Sequence, residues 1–232
     1  MGLLSFPDAG WKSIRRLQIL RFRITRRKLF SDGQLRPTRK VMVARRLLIP
    51  LTLALAASLS AGASRAWAVP TSSLLAPPGA CGPAADRLDL DPLTAQKTMR
   101  CLTNFARVHS GLPPLAANAT LNGAGAAKLE ADVACKQFTH TPCNKPFTVV
   151  FARYLTGATV YAVGENLAWG TGSFGTPRET MNGWLNSPEH RQNILSPAFH
   201  ELGIGYIAEQ TFQGMTGATL WSQEFGTRSL KH

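Results

Sequence analysis

The chain has 232 residues, of which 44% are hydrophobic and 17% charged, which excludes an intrinsically disordered protein and allows about one domain. A formal net charge of +13 would ordinarily indicate a nucleic acid or an anionic membrane as partner. The charge is unevenly distributed, however, because residues 1–68 hold 14 Lys or Arg and 2 Asp or Glu, whereas residues 69–232 hold 12 and 11. We therefore expect a basic leader, a nearly neutral functional part and no nucleic-acid partner.

Residues 42–68 have the pattern of a signal peptide. Arg45 and Arg46 precede an apolar run of 11 residues at 47–57, which is too short to span a bilayer and has the length of a signal-peptide core. Ala66-Trp67-Ala68 follows as an A-x-A cleavage site. We expect cleavage after Ala68 and a mature chain that is secreted, extracellular or periplasmic, without a stable membrane span. A membrane anchor is the alternative.

Residues 1–41 do not fit ahead of a signal peptide. We interpret them as a non-native N-terminal extension, with translation starting at Met42 or at Val41 read as an alternative start. The other interpretation is a basic amphipathic helix suited to an anionic membrane.

Four cysteines in an exported chain predict two disulfides, for which three pairings exist. Cys135 and Cys143 lie eight positions apart around a polar turn, so we pair them, and Cys81 and Cys101 then pair by elimination. The alternative for the first pair is a zinc site that includes His140.

The elements follow in chain order. Residues 69–90 are predicted as a linker or arm, because they begin with a Pro/Ser/Ala/Gly-rich stretch. Asp91 and Pro92 begin a helix that ends before Gly111, and a second helix is predicted over 119–136. A strand is expected near 161–163 and a loop at 170–175. Thr176-Pro177-Arg178-Glu179 is a capping box that predicts a helix over 177–186, and Ser187-Pro188 predicts a short helix over 188–195. Two strands are expected around 202–206 and 220–225, joined by a loop at 209–217. Helices first and strands last predict an α+β fold with an antiparallel sheet.

The chemically active side chains fall in three short segments. His140 ends the second helix, Glu165 and Asn166 lie on or beside the first strand, and His190 begins the last short helix. Two imidazoles and a carboxylate are a common ligand set for Zn²⁺, and without a metal they form a general acid/base set. Spacing alone does not show that they meet.

Four sequence segments together resemble the CAP superfamily, which comprises cysteine-rich secretory proteins, antigen 5 and pathogenesis-related proteins, and in particular its bacterial secreted SCP-like branch. The segments are FTH at 138–140, GENLAWG at 164–170, WLNSPEHRQNILSPAFHELGIGY at 184–206 and LWSQEFG at 220–226. The resemblance covers roughly residues 93–226, and we assign the domain to 91–228. It implies a three-layer α-β-α sandwich with a central antiparallel sheet.

The resemblance also implies a cleft with two histidines and two acids. His140, Glu165 and His190 match three of these, and the position of the second acid holds Ser187, with Glu189 nearby. We therefore expect a three-residue site for Zn²⁺ or another divalent cation that is not required for folding. Ser187, Glu189, Asn166 and Arg191 are expected to support the cleft.

Two classes of function follow. The first is a secreted module, expected to be a monomer, that binds a lipid, small molecule or protein partner outside the cell. The second is a secreted protease or esterase in which Ser187, His190 and Glu165 would act as nucleophile, base and orienting acid. Against the second, Ser187 is the predicted N-cap of the helix begun by Pro188, which would occupy its hydroxyl with backbone amides. A structural protein of the cell wall is a third class, which the absence of repeats and of a wall-sorting tail disfavours.

Overall fold

A computed structural model describes residues 69–230 of the chain, apart from the side chain of Glu209. The predicted extension and signal peptide at 1–68 lie outside the described residues. Within residues 69–230, no helix combines the length and the apolar character that crossing a membrane requires.

The segment 69–90, predicted as a linker or arm, instead packs onto the domain. A short helix lies at Thr71–Leu74 and a 3₁₀ turn at Pro83–Asp86. The side chains of Leu74 and Ala76 are buried within the main core, and Ala85 is also buried. Residues 69–90 are therefore part of the folded domain.

Six α-helices form in the described chain: α1 (Thr71–Leu74), α2 (Pro92–His109), α3 (Ala119–Ala134), α4 (Ala152–Leu155), α5 (Pro177–Asn186) and α6 (Pro188–Ile194). The predicted start of α2 is confirmed, since Asp91 accepts a hydrogen bond from the Thr94 amide. The N-cap of α5 is confirmed, with Thr176 accepting from the Glu179 amide, but the capping box is incomplete. The Glu179 carboxyl accepts from Asn182, and the Thr176 amide donates to the Ser173 carbonyl. Further 3₁₀ turns lie at Pro142–Asn144, Phe147–Val149 and Gly172–Gly175.

The sheet has four strands: β1 (Ala116–Ala117), β2 (Ala158–Thr171), β3 (Glu201–Phe212) and β4 (Met215–Leu230). Their spatial order is β1-β3-β4-β2, with β3, β4 and β2 antiparallel and the short, unpredicted β1 parallel to β3. The predicted loop at 209–217 is mostly strand. Only Gln213 and Gly214 turn the chain, both with positive φ, as a tight two-residue hairpin requires.

Helical layers cover both faces of the sheet, so the predicted three-layer architecture is confirmed. On one face α3 lies close to β3 at glycines, since a Cβ on Gly203 would come within 2.1 Å of the Leu121 backbone. On the other face α2 and α5 bury a large core that includes the two tryptophans Trp184 and Trp221, both 0% exposed.

Both predicted disulfides are present. Cys81–Cys101 attaches the N-terminal segment to α2, and Cys135–Cys143 closes the loop that follows α3. The alternative in which Cys135, His140 and Cys143 bind zinc is therefore wrong, because both sulfurs are bonded to each other.

Candidate functional site

His140 and Glu165 meet, as predicted, at the edge strand β2. The Nδ1 atom of His140 lies 2.5 Å from Oε1 of Glu165. The glutamate is almost fully buried, whereas 14% of the histidine side chain is exposed. His140 lies on the loop that the Cys135–Cys143 disulfide closes. The buried carboxyl of Glu165 orients one of its ring nitrogens, while part of the ring is exposed to solvent.

The second histidine has a hydroxyl partner. Nδ1 of His190 lies 2.9 Å from Oγ of Ser187, and both side chains are buried. The prediction that the Ser187 hydroxyl caps α6 is wrong, since no side chain caps that helix. Ser187 does occupy the N-cap position, but its hydroxyl is used by a ring one turn further along the same helix.

Burial and, secondly, the charge of His140 lower the pKa of His190 from 6.5 to about 4. The ring of His190 is therefore neutral at physiological pH. Its Nε2 atom is buried and has no hydrogen-bond partner among the described residues. The helix that carries His190 contacts β2 at Glu165, the partner of His140, because Asn193 of that helix donates to the Glu165 carbonyl. A neutral imidazole with an unused, buried nitrogen is a group that a ligand or cation could engage.

Buried amides hold α6 against β2 and so position His190. Asn166 donates to the His190 carbonyl at 3.1 Å and to Gln223 Oε1 at 2.9 Å. Asn193 donates to the Glu165 carbonyl at 3.2 Å and to Asn166 Oδ1 at 2.8 Å. The supporting role predicted for Asn166 thus has a direct structural basis.

Arg191 and Glu189 were also predicted to support the cleft, and their contacts differ from those of Asn166. Arg191 donates to Thr71 Oγ1 at 3.0 Å and to the Val69 carbonyl, so it connects α6 to the segment around α1. Glu189 is half-buried and forms no hydrogen bond or ion pair with any described residue, so its role beside the cleft stays a prediction.

Three charged or acidic groups that the sequence analysis missed lie beneath the cleft: Lys128, Asp132 and Glu224. The ammonium of Lys128 lies 3.5 Å from Oε1 of Glu165 and 3.8 Å from Oδ1 of Asp132, and it donates to the Thr139 carbonyl. Glu224 of β4 stands directly opposite Glu165 of β2 in the sheet register. The i,i+4 spacing of Lys128 and Asp132 was visible in the sequence, but such pairs are usually on a solvated helix surface.

Burial shifts the acids of this cluster toward their neutral forms. It raises the pKa of Asp132 to about 7, although the ammonium of Lys128 acts in the opposite direction. Burial and the neighbouring carboxyl of Glu165 raise the pKa of Glu224 well above its usual range. Protonation of Glu224 removes the repulsion that two ionised carboxylates in register would otherwise suffer.

The described residues hold no group of three His, Cys, Asp or Glu side chains arranged to bind a metal ion. Glu165 is already engaged by His140 and Lys128, which suits a carboxyl that orients a ligating histidine. The metal assignment of His140, Glu165 and His190 therefore remains a prediction, in which the unused Nε2 of His190 is the feature that fits a cation.

The model of the cysteine-rich secretory protein family, CAP, matches residues 102–225. The chain belongs to this family. The match covers most of the helices, the sheet and every cleft residue described above, and it agrees with the range over which the sequence motifs resemble the superfamily.

Three individual proteins are similar to the chain. It is 33% identical over 126 residues to the uncharacterized protein YkwD of Bacillus subtilis, a match that covers 53% of this chain but only 44% of the relative. An outer surface protein from Borrelia burgdorferi has the same fold, with a TM-score of 0.51 and 18% identity over 60% of this chain and 97% of the other. An extracellular SCP-domain protein from Bacillus anthracis is also similar, with a TM-score of 0.46 and 22% identity over 59% of this chain and 43% of the other.

Proposed function

We propose that this chain is a secreted binding module whose cleft holds one divalent cation between His140 and His190, and thereby presents a site for an extracellular ligand. The observation that carries the proposal is the buried Nε2 of His190, which has no hydrogen-bond partner among residues 69–230. A buried polar atom without a partner costs free energy, and a bound ion or ligand would remove that cost.

The orientation of both rings supports a nitrogen-ligated cation. Each histidine uses Nδ1 toward a protein group, Glu165 for His140 and Ser187 for His190. Histidines that bind metals usually have their other ring nitrogen held in this way by a carboxyl, hydroxyl or carbonyl. A cation would therefore be bound through Nε2 of His190, with Glu165 as the partner that orients His140.

Zinc titration tests this site. We expect wild-type protein to bind one Zn²⁺ per chain in calorimetry near pH 7.5, and less tightly near pH 4, where protons compete with the metal for the ring of His190. The double substitution His140→Ala/His190→Ala should abolish binding. The matched control is His109→Ala/His200→Ala, since these two histidines are exposed and lie outside the cleft. Equal binding by both double variants would place the metal elsewhere and reject the proposal.

Secretion is supported by the sequence and by the fold. An 11-residue apolar core followed by A-x-A, two disulfides, and a fold shared with a protein described as an outer surface protein all agree with export. N-terminal sequencing of the exported protein tests it, and Val69 is the expected first residue.

A hydrolase is the second candidate, because Ser187 and His190 form a hydroxyl–imidazole pair at 2.9 Å. Two features favour binding over catalysis. Both side chains are only 2% exposed, and no described carboxylate orients His190, because Glu165 contacts His140 instead. Hydrolysis of casein or short-chain esters by wild type, lost in Ser187→Ala, would establish the hydrolase and overturn this preference.

A further inference from the structure

A groove of about 450 Å³ lies apart from the histidine cleft, between α3 and the segment that contains α4. Small side chains of α3 form its floor, among them Ala124, Ala127 and Ala131, and Val149 and Val150 line it from the facing segment. None of the residues that line it belongs to the cleft described above. Its volume lies within the range of about 300–1,000 Å³ that is usual for small-molecule sites.

The groove is held open by the fold. The rings of Phe151 and Tyr154 are fully buried and form a small core with Leu121 of α3, which fixes the facing segment beside the helix. At Gly123, which also lines the groove, a Cβ would meet no atom within 4 Å. A ligand would therefore enter a preformed space, without the entropic cost of ordering a segment of chain.

The charged side chains that line the groove are both basic. Lys145 and Arg153 are exposed, and neither side chain forms a hydrogen bond or an ion pair with a described residue. The first turn of α3 also borders the groove and contains no acidic residue, so no carboxylate offsets the positive end of the helix dipole there. The electrostatic environment of this apolar groove therefore favours an anion.

We propose that the groove binds an amphiphile with one linear apolar chain and one anionic head group, such as a fatty acid. Along α3 the groove extends from Ala119 to Ala131, a helical rise of about 18 Å, which suits an extended chain. The side chains of Lys145 and Arg153 attract the head group. Apart from these two, Thr120 is the only one of the described lining residues with a polar side chain, so a peptide would find few partners for its backbone amides.

Calorimetry with dodecanoate, in EDTA and below its micelle concentration, tests the groove independently of the proposed cation site. We expect wild type to bind one dodecanoate per chain with a saturable isotherm. Dodecanol, which has the same chain without the charge, should bind at least about tenfold more weakly, because it lacks charge-assisted contacts. Acetate, which has the charge without the chain, should show no measurable binding.

A bulky side chain in the groove tests its location. Ala127→Phe should lower the affinity for dodecanoate at least about tenfold, because the new ring occupies the space of the chain. Ala134→Phe is the matched control, since Ala134 is an exposed residue of α3 outside the groove. Ala152→Phe fills the groove from the facing segment and serves as a second variant if the ring at position 127 disturbs the helix.

Reversal of the two lining charges tests the head group. Lys145→Glu/Arg153→Glu should weaken dodecanoate binding at least about tenfold and strengthen the binding of dodecyltrimethylammonium, which carries a positive head group. The matched control Lys97→Glu/Arg100→Glu makes the same change in net charge on α2 and should bind dodecanoate as wild type does.

Two results would overturn the proposal. One is a folded wild type that does not bind dodecanoate, or that binds it equally well after Ala127→Phe and Ala152→Phe. The other is binding to phosphatidylglycerol vesicles that depends on Lys145 and Arg153 but is unchanged in Ala127→Phe, because the basic side chains would then contact a membrane surface and leave the groove unused. Failure of wild type to bind Zn²⁺ would reject the cation site and leave the groove standing.

Discussion

Oγ of Ser187 and Nδ1 of His190 are joined by a hydrogen bond of 2.9 Å that lies inside the protein. The two residues are three positions apart at the start of α6, so a group expected to cap the helix is instead used by a side chain of its first turn. The hydrogen bond between Ser187 and His190 leaves the start of α6 without a side-chain cap and fixes the orientation of the buried imidazole. The hydroxyl therefore supports the cleft more than the helix.

The hydrogen bond can be distinguished from a cap by two substitutions. Ser187→Ala and Ser187→Gly both remove the hydroxyl and leave a buried ring nitrogen without its partner, so each should lower the free energy of unfolding by about 1–3 kcal/mol. A glycine at an N-cap costs only a few tenths of a kcal/mol relative to serine. Near-wild-type stability of the glycine variant in urea denaturation would therefore restore the capping role.

The pH dependence of stability should carry a signature of His190. Its folded-state pKa of about 4 lies below its ordinary value of 6.5, so between these two values the unfolded chain binds a proton that the native protein does not. Stability is thus lost as pH falls from 6.5 to 4, by roughly 3 kcal/mol in total.

His190→Gln, which cannot titrate, provides the comparison. The difference in unfolding free energy, wild type minus variant, should rise with pH across the window from 4 to 6.5 and be flat above it. The difference is needed because Asp132 affects stability in the opposite direction. Its pKa is raised to about 7, so its protonated form favours the native state. Its contribution to stability therefore falls as pH rises through its titration range. Parallel curves for the two proteins would contradict the assignment of a depressed pKa to His190.

Local signals in the sequence predicted much of the fold. The cap and proline pairs at Asp91 and at Thr176 located the starts of two helices, because these signals depend only on residues within one turn. The spacing of Cys135 and Cys143 predicted a disulfide for a similar local reason. The convergence of His140 with Glu165 was expected from the family resemblance, since residues 25 positions apart on different elements give no local sign of contact.

The errors arose where tertiary contacts decide the outcome. The composition of residues 69–90 resembles that of a linker, yet Leu74 and Ala76 are buried in the core. The Ser187 hydroxyl was predicted to cap α6, but it forms a hydrogen bond with the buried ring of His190 instead. The spacing around Lys128 is typical of a surface residue on a helix. Its side chain is buried instead, because its ammonium contacts Glu165, which lies on a strand distant in sequence.

Arg107 should be essential for the segment that follows α6. Its guanidinium is buried and donates to four carbonyls, those of Pro113, Ile194, Ser196 and Phe199. Burial lowers its pKa to about 10, so the group stays charged at neutral pH. Arg107→Met would leave these carbonyls without their donor, and we expect a loss of about 3–5 kcal/mol in the free energy of unfolding.

Two controls accompany this substitution. Arg107→Lys keeps the charge but not the forked donors, so it should recover only part of the loss. Arg100→Met changes a neighbouring arginine of α2 whose side chain forms no hydrogen bond within the described chain, and its effect should stay within about 0.5 kcal/mol. Equal effects at positions 100 and 107 would show that the carbonyl contacts contribute little.

Two glycines in the same helix should respond in opposite directions to alanine. Gly123 of α3 has open space where a Cβ would lie, so Gly123→Ala should stabilise the protein by up to about 1 kcal/mol through helix propensity alone. Gly125 faces the sheet, and its Cβ would come within 2.6 Å of both the Gly205 amide nitrogen and Ser222 Oγ. Because the backbone of β3 cannot move without disturbing the sheet, Gly125→Ala should cost about 2 kcal/mol or more despite the same gain in propensity. Thermal and urea denaturation of the two variants, made in the same background, measure this difference. If both substitutions stabilise the protein, α3 does not approach β3 as closely as the glycines indicate.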